Sequence, residues 1–534
     1  MHNDPLEVLS QPSSNRSSPS LQNIDPIPIF NNDPNPNVSH ENLAINIIMN
    51  RQQYLFLFEE LMSDIGYGKY QQRIELLLGV LMFLNGIEMS VIALSIADFL
   101  LLENFSENLI IFLSSVIFLG FSVGSIFSKI LWNRFGYKRS LLTTLLLYNL
   151  ISVMSVYPFS LLDFVIFRAI CAILMNLLKN FGYNLLVEYT FPMRAVQETY
   201  FNYYCYYVIG QSFSCAFIVV LHDYDPTLTL SDFYQLLIKV ALIICTISYF
   251  LIQFYVMESI KYSLYWNRYE QAFNTFNYLA EINKGITNQD YLDELKKTSL
   301  TFWTELYVMQ MEAQSNISIW KKFRNIYNNT DDTQKLFSVL LIINSMIITL
   351  TFYSYPLVAT LFEVGFENSE DRDFNKINIW CVLFINYLVQ YLGLMCTEIM
   401  RKWASITKIT LVLSANGLII LCSLLIYGNI EGYNEIFMWS YSTINAFLFS
   451  THNEMKGYFF NNDIKETAKE VIKFMENMTF ILVPFVFWTN LLFSYNYIFI
   501  LYSVLYMFNL FIMLGLFFYE KWRMQIDRLI HEQH

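Results

Sequence analysis

The chain has 534 residues, of which 55% are hydrophobic and only 15% are charged. A soluble domain carries about 25% charged residues, so the composition excludes an ordinary soluble protein and indicates a polytopic membrane protein. The net charge of -12 is not that of a nucleic-acid-binding protein, and no nucleic-acid partner is expected.

The N-terminal region differs in composition from the rest. Residues 1–45 are rich in Asn, Ser and Pro and cannot bury an apolar core, which predicts a disordered tail. Residues 46–72 are mixed in composition and predict an interfacial segment that leads into the first apolar stretch.

Twelve apolar stretches follow, each close to the roughly 20 residues that a helix needs to cross a bilayer core. A polar and helical loop, residues 258–335, divides them into an N-terminal six-helix half (73–257) and a C-terminal six-helix half (336–519), and residues 520–534 form a tail. The predicted spans are 74–100, 108–132, 139–158, 161–187, 197–221, 232–256, 336–362, 378–400, 404–427, 434–458, 470–493 and 496–519.

The loops differ in charge between the two sides of these spans. Lys and Arg recur in the loops of one side and in the C-terminal tail, whereas the opposite loops carry few. By the positive-inside rule, both termini and the central loop are expected in the cytoplasm, in either a plasma membrane or an internal vesicle membrane. Asn104, in the sequon Asn104-Phe105-Ser106, then lies outside and is a glycosylation candidate.

A tight basic turn ends the second span. It reads Asn133-Arg134-Phe135-Gly136-Tyr137-Lys138-Arg139 and follows Gly120 and Gly124. This segment resembles the signature loop of the major facilitator superfamily, a Gly-rich helix end followed by Asp-Arg-x-Gly-Arg-Arg/Lys. The resemblance implies an all-α fold of 12 transmembrane helices in two halves, with the substrate site between the halves near the midplane.

The resemblance also implies that this loop is a conformational latch. Its members would be Gly124, Asn133, Arg134, Gly136, Lys138 and Arg139, with Glu188 after the fourth span as the acidic partner of Arg134 or Arg139. Asn133 stands where the family has Asp. A charged hydrogen bond is worth roughly 1.5–3 kcal/mol and a neutral one about 1 kcal/mol, so a weakened latch is expected.

Three further segments resemble the synaptic-vesicle-two-related and sugar-porter-like branch. Asp64-Ile65-Gly66-Tyr67-Gly68 with Gln71 precedes the first span, and Asn85-Gly86-Ile87-Glu88-Met89 lies within it. After the sixth span, Glu258-Ser259-Ile260-Lys261-Tyr262 resembles the family's P-E-S-P-R segment, with spacing matched out to Asn283. Glu258, Ser259 and Lys261 are therefore the expected motif residues on the cytoplasmic side.

Polar side chains within the spans are the candidate substrate or coupling residues, because a charge at the bilayer centre costs roughly 2.5–3.5 kcal/mol. Asn85 and Glu88 are three residues apart and share a helix face. Glu88 is either a substrate-binding or proton-coupled carboxylate or a structural one, and Arg168 either faces the cavity, pairs with an acid or snorkels. Tyr353 and Tyr355 resemble an aromatic pair of span seven in the branch and are cavity candidates.

The functional expectation is a secondary active or facilitative transporter of a small polar organic solute, a sugar or an organic ion. The alternative is a transport-inactive protein of the same fold that serves as a receptor, scaffold or membrane-complex subunit, because Asn85 and Asn133 replace family acids. The sequence has no Walker loop or H-E-x-x-H motif and its six His are scattered, so no enzyme, metal site or cofactor is expected. The expected partners are the lipid bilayer, the solute and protons as a candidate coupling ion, and the expected state is a monomer.

Overall fold

The computed structural model describes residues 66–101, 107–158, 160–189, 193–225, 227–266, 268–284, 332–365, 377–400, 403, 405–428, 433–455, 462–486 and 497–533. Within these ranges the chain is helical and forms no strand. The predicted N-terminal tail, most of the interfacial segment, Asn104 and most of the central loop lie outside the described residues.

Fourteen helices and one 3-10 turn have described bounds at both ends. Six long helices come first: α1 (Lys69–Leu101), α2 (Glu107–Phe135), α3 (Tyr137–Val156), α4 (Leu161–Tyr189), α5 (Met193–Tyr224) and α6 (Leu230–Tyr255). Two short ones follow, α7 (Ile260–Tyr265) and α8 (Tyr269–Lys284). The second series is α9 (Asp332–Gly365), α10 (Ile377–Met400), α11 (Ser405–Tyr427), α12 (Asn434–Met455), α13 (Asn462–Met478), the 3-10 turn Thr479–Leu482 and α14 (Tyr497–Gln533).

Ten of the described helices are long and apolar enough to cross a membrane. They coincide with predicted spans one to nine and twelve. The last helix continues beyond its apolar part to Gln533, so the described part of the predicted C-terminal tail is helical.

Predicted spans ten and eleven are less regular. Helix α12 covers the tenth but carries buried polar residues such as Asn445 and His452, which lower its hydropathy. Helix α13 covers the start of the eleventh and is amphipathic, and the span then passes through the 3-10 turn Thr479–Leu482 into helical residues 483–486. The remainder of that span, 487–493, lies outside the described residues.

The helices pack in recurring pairs: α2 with α4, α1 with α5, α10 with α12, and α11 with α14. A Cβ added at Gly124 on α2 would lie 2.5 Å from the carbonyl oxygen of Ile173 on α4. The absence of a side chain therefore lets the two helix backbones touch. Helices α5 and α10 also pack against each other and join the first series to the second.

One end of the bundle is held by a hydrogen-bond network, and we call it the loop end. There the start of α1, the end of α4 and the α6–α7 connection meet. The side-chain oxygen of Gln71 accepts from Asn283 Nδ2 at 2.7 Å, and Asn283 Oδ1 accepts from the backbone N–H of Tyr70 at 3.1 Å. The Tyr189 hydroxyl donates to the Glu258 carbonyl at 2.7 Å. The segments that resemble the family before span one and after span six are thus joined directly.

Gly136, between α2 and α3 at the same end, has a φ of +86°. A Cβ there would lie 2.8 Å from Glu258 Oε2 and 2.8 Å from Tyr262 Cε1. Both the backbone conformation and the space exclude a side chain, so the chain can turn from α2 into α3 against Glu258 only with glycine at this position.

We expect Gly136→Ala to lower the free energy of unfolding by about 1–3 kcal/mol, because the left-handed backbone is strained with a side chain and Glu258 must shift. Thermal unfolding of the purified protein in mild detergent measures the effect. Gly417→Ala is the matched control, since nothing lies within 4 Å of a Cβ at that helical position. Equal melting temperatures for the two variants would contradict the prediction.

Candidate functional site

A buried ion pair joins α1 to α4. Arg168 Nη1 donates to both carboxylate oxygens of Glu88, at 2.9 and 3.0 Å, and the two residues are 0% and 1% exposed. The Tyr148 hydroxyl donates to Glu88 at 2.9 Å, while Arg168 Nη2 donates to Ser155 and, at 3.4 Å, to Ser152. Of the interpretations left open by the sequence, this geometry favours Arg168 paired with an acid and Glu88 as its structural partner.

Asn85 lies one turn before Glu88 and has weaker polar contacts. Its Nδ2 lies 3.8 Å from Met82 Sδ, and its buried Oδ1 has no hydrogen-bond partner among the described residues. Within the same ranges, Gln211 Oε1 on α5 and both polar side-chain atoms of Gln390 on α10 are buried and unpartnered too. Such atoms can bind the hydroxyl or amide groups of a solute, because a buried polar atom without a partner is costly.

Lys179 on α4 forms a second polar site between the two helix series. It is 8% exposed, and its Nζ donates to the hydroxyl of Tyr353 on α9 at 2.8 Å. The same Nζ lies 4.6, 5.6 and 6.0 Å from the ring centroids of Tyr353, Phe480 and Tyr204. We call these four residues the lysine cluster. Its members come from α4, α5, α9 and the 3-10 turn.

The 3-10 turn Thr479–Leu482 interrupts predicted span eleven, directly after α13 and beside this cluster. Phe480 of the turn stacks on Phe121 of α2 at 5.3 Å and packs on Tyr353 at 4.9 Å. Near the end of α13, the Asn477 carbonyl accepts from Ser122 Oγ at 2.9 Å. Interrupted helices are a recurrent feature of solute sites in transporters, and a short 3-10 stretch within a helix often marks a hinge.

The other predicted aromatic residue, Tyr355, lies inside the second helix series. Its hydroxyl donates at 3.0 Å to Asn386 Oδ1 on α10 and is 3.1 Å from the Met438 carbonyl. The two tyrosines thus have different described partners: Tyr353 contacts Lys179 of the first series, and Tyr355 contacts α10 and α12 of the second.

The predicted latch residues lie at the loop end. The backbone N–H of Lys138 donates to Glu258 Oε1 at 3.1 Å, Lys138 Nζ donates to the Gln253 carbonyl at 2.9 Å, and the Tyr262 hydroxyl donates to the Arg134 carbonyl at 3.2 Å. Arg134 and Arg139 are exposed, Asn133 is half-buried, and the side chain of Lys261 is outside the described residues.

Glu188, the predicted acidic partner of the latch, accepts from Ser259 Oγ at 2.6 and 2.7 Å. Its pairing with Arg134 or Arg139 stays a prediction. Glu258 is the acid that the structure places against the basic turn, through the Lys138 backbone. Burial raises the pKa of the Glu258 carboxyl above its ordinary value, although the N–H groups of Lys138 and Ser259 act in the opposite direction.

A five-residue run of α2 matches the sequence pattern of a hydrolase nucleophile. Gly120-Phe121-Ser122-Val123-Gly124 fits G-x-S-x-G, which in hydrolases forms a strand-to-helix turn. Here it lies inside α2, and Ser122 Oγ donates to the Asn477 carbonyl. The run is a helix-packing segment and not a nucleophile turn.

Lys179 is the residue that the sequence analysis missed. A lone lysine within span four was a detectable signal, because ionisable residues within membrane spans mark functional sites by default. The sequence gives no comparable signal for its aromatic neighbours, because Tyr and Phe are abundant throughout the chain. Tyr353 is also 174 residues away in sequence.

Comparison with solved structures identifies the fold. The proton:xylose symporter XylE of the major facilitator superfamily, bound to a bromodeoxyglucose, matches with 17% identity and a TM-score of 0.59 over 83% of this chain and 95% of that one. The partially occluded inward-open xylose transporter XylE from E. coli matches with 16% identity and a TM-score of 0.59 over 83% and 99%. A D-xylose–proton symporter matches with 17% identity and a TM-score of 0.56 over 83% and 97%.

The chain therefore has the major facilitator fold and is a multi-pass membrane protein, as the signature loop predicts. A scan against protein-family models finds no match, and a search of the curated proteins finds none either. At this identity the likeness shows the fold alone.

We expect Glu88→Gln and Arg168→Gln each to destabilise the protein by about 3–5 kcal/mol, since each leaves a buried charge without its partner. The double variant should lose less than the sum of the two, which a double-mutant cycle of detergent unfolding measures. Asp223→Asn, an exposed acid on α5, is the control. Strict additivity of the two substitutions would show that the pair is not coupled.

A pH dependence is expected from Glu258. Because its folded pKa is raised, the unfolded chain releases this proton first, and stability falls as the pH rises from the ordinary carboxyl value through the folded pKa. Glu258→Gln cannot ionise and should lack this decrease. Melting temperatures between pH 4 and 7 compare the two proteins, with exposed Glu281→Gln as the control. Parallel curves for wild type and Glu258→Gln would refute the assignment.

Proposed function

We propose that this protein is a transporter of a small polar organic solute, which it moves by alternating access between its two six-helix halves, residues 73–257 and 336–519. The observation that carries the proposal is Lys179, a buried lysine of the first half whose ammonium group hydrogen-bonds Tyr353 of the second half. A buried ammonium group loses its hydration, which costs free energy. A purely structural bundle would gain little in return for placing a charge at that interface.

Contacts at both ends of the interface support alternation. At the loop end, Lys473 Nζ of α13 donates to Asn184 Oδ1 of α4 at 3.0 Å and lies 4.3 Å from the Tyr183 ring. Towards the opposite end, the rings of Phe233 on α6 and Trp380 on α10 meet edge to face at 6.3 Å. Each contact involves few residues. If the two contacts opened alternately, a solute would reach the lysine cluster between them from one side of the membrane at a time.

The proposal extends to the solute and its partners. A sugar or an organic ion fits the unpartnered amide atoms of Asn85, Gln211 and Gln390. The solved neighbours are xylose transporters, two of them described as proton symporters, and protons are the corresponding candidate coupling ion here. We further propose that the chain belongs to the synaptic-vesicle-two-related and sugar-porter-like branch. Both of its termini then lie in the cytoplasm, and the protein is a monomer.

A second candidate is a transport-inactive receptor, scaffold or complex subunit with the same fold. The neutral Asn133 in the latch and the full neutralisation of Glu88 by Arg168 favour it, because neither group then supplies a free carboxylate for coupling. A stoichiometric partner on purification would support this candidate. A solute that stabilises the isolated protein would weigh against it.

The two candidates differ in uptake by proteoliposomes. We expect uptake of at least one solute from a panel of sugars, sugar acids, carboxylates and amines, measured with and without a proton gradient. In an Asn184→Cys, Lys473→Cys variant, a short bifunctional thiol reagent should close the loop end and stop uptake, since these side chains touch across the halves.

Each single-cysteine variant treated with the same reagent is the matched control, because the chain has native thiols such as exposed Cys396. Uptake should stop only in the double variant. Unchanged uptake after complete cross-linking would refute alternating access at this interface, and no uptake of any panel solute would refute the transporter.

A further inference from the structure

We propose that His452, together with Asn344 and Ser345, is a proton-binding site of the second half and that its protonation is coupled to transport. The proposal rests on the proposed function, because it assigns a site to the candidate coupling ion. His452 lies on α12, three residues before that helix ends at Met455, and is 4% exposed. We call His452, Asn344 and Ser345 the histidine site.

Both ring nitrogens of His452 have partners on α9. Asn344 Nδ2 lies 3.2 Å from His452 Nδ1, and Ser345 Oγ lies 2.6 Å from His452 Nε2. An amide nitrogen is a donor, so Nδ1 accepts from it and the ring is neutral, with its proton on Nε2 and directed at Ser345. Nδ1 thus has a lone pair that a proton can occupy.

The Asn344 amide can serve the charged ring as well. Its Oδ1 is buried and has no hydrogen-bond partner among the described residues. Rotation of the amide by about half a turn exchanges Nδ2 for Oδ1, because this torsion has two nearly equivalent positions. A proton bound at Nδ1 then donates to Oδ1, while the Nε2–H group still donates to Ser345. Each ring nitrogen therefore has a partner in both protonation states.

The histidine site is one layer of a polar seam between α9, α12 and α14. Asn344 Nδ2 also lies 3.3 Å from Met513 Sδ on α14. Two turns along each helix, or about 10.5 Å, Thr351, Asn445 and Tyr506 form the next layer. There the Tyr506 hydroxyl donates to Asn445 Oδ1 at 2.6 Å and lies 2.7 Å from Thr351 Oγ1. Of the side chains in these two layers, the imidazole is the one that titrates near neutral pH.

Charged groups on the helices around His452 influence how readily it binds a proton. Helices α10 and α11 pack against α12, as does α9. Thr451, next to His452, lies 3.4 Å from Thr397 Oγ1 on α10, so Glu398 is at the depth of the histidine site. An acid favours the charged ring and an ammonium group opposes it. The charged groups at the loop end of these helices, within the described residues, are Lys335 on α9, Glu398 on α10, Lys408 on α11 and Lys521 on α14.

The position of the site on α9 relates proton binding to transport. In the first half, Glu88 is held by Arg168, and the amide of Asn85 does not ionise. In the second half, the helix that carries Asn344 also carries Tyr353, which accepts a hydrogen bond from Lys179 of the first half. A charge on His452 strengthens its hydrogen bonds to α9. Protonation thus acts on the helix whose contacts must change when the halves move.

Solid-state NMR of the full-length protein in lipid bilayers tests proton binding directly. With isotope-labelled histidine, the nitrogen shifts distinguish the neutral Nε2–H ring from the charged ring. We expect a signal, absent from His452→Gln, that shows this neutral tautomer at about pH 9 and gains a second proton as the pH falls to about 5. A His452 signal that stays neutral throughout this range would overturn the proposal.

Substitutions of Asn344 should move the titration in opposite directions. Asn344→Asp places a carboxylate against Nδ1 and should raise the pH of half-protonation, because an adjacent anion favours the charged ring. Asn344→Leu removes the acceptor of the new proton and should lower that pH. Asn416→Leu is the matched control, since this buried amide of α11 donates to Val412 of its own helix.

These variants also identify the His452 signal if His452→Gln does not fold. Equal titration midpoints in Asn344→Asp, Asn344→Leu and the wild type would overturn the site.

Uptake by proteoliposomes tests the coupling. The probes are D-glucose, D-glucuronate, L-lactate and choline, with and without a gradient of about one pH unit, for which one coupled proton allows about tenfold accumulation. We expect gradient-driven accumulation in the wild type and its loss in His452→Gln, which should still exchange labelled for unlabelled solute. His222→Gln, at a buried histidine of α5, is the matched control and should keep the accumulation.

The outcomes separate this inference from the proposed function. Proton-driven accumulation that persists in His452→Gln would overturn the coupling and leave the transporter proposal standing. Uptake of no probe by the wild type would overturn the transporter and with it the coupling, whereas the NMR titration would still decide whether His452 binds a proton. A titrating His452 and the loss of accumulation in His452→Gln alone would support both proposals.

Discussion

A charge inside a membrane-spanning bundle is costly unless another helix neutralises it, and this requirement ties together three of the first six helices. Glu88 of α1 and Arg168 of α4 meet it with a bidentate contact that also engages Tyr148 and Ser155 of α3. Because both charges are excluded from water, either alone would be far costlier than the pair. The ion pair therefore fixes the mutual register of α1, α3 and α4 at one depth, whereas α4 meets α5 and α9 through the lysine cluster.

The two buried cations of α4 have opposite surroundings. Arg168 is enclosed by groups of its own half, whereas Lys179 reaches the second half through Tyr353. A contact within one half survives any rigid movement of the halves, but a contact between halves must change when they rock. The helix thus separates a charge that stabilises the fold from a charge whose environment depends on conformation. In the proposed transport cycle, such a division would let each half stay intact while the interface between the halves opens and closes.

The sequence predicted the fold well because apolar length and loop charge are local properties. The spans, the glycine turn at Gly136 and the segments around Gln71, Glu258 and Asn283 were all recognisable in short windows, and the fold and the contacts at the loop end agree with them. The site was harder to predict. Arg168 could be related to an acid only as one interpretation among three. The contact of Glu188 with Ser259 was not predicted, and the pairing of Glu188 with an arginine stays a prediction. Lys179 required knowledge of which helices meet, since its partners come from α5, α9 and the turn after α13.

The irregular eleventh span, which contains α13 and the 3-10 turn, differs from the other spans in charge. Helix α13 carries several charges, namely Lys465, Glu466, Lys469, Glu470, Lys473 and Glu476. The translocon inserts a segment largely according to its hydrophobicity, and such charges oppose insertion. The described contacts of this segment include Ser122, Phe121 and Asn184 of the first series and Tyr353 of α9. The polar segment is therefore held by tertiary contacts with α2, α4 and α9 rather than by its own hydrophobicity.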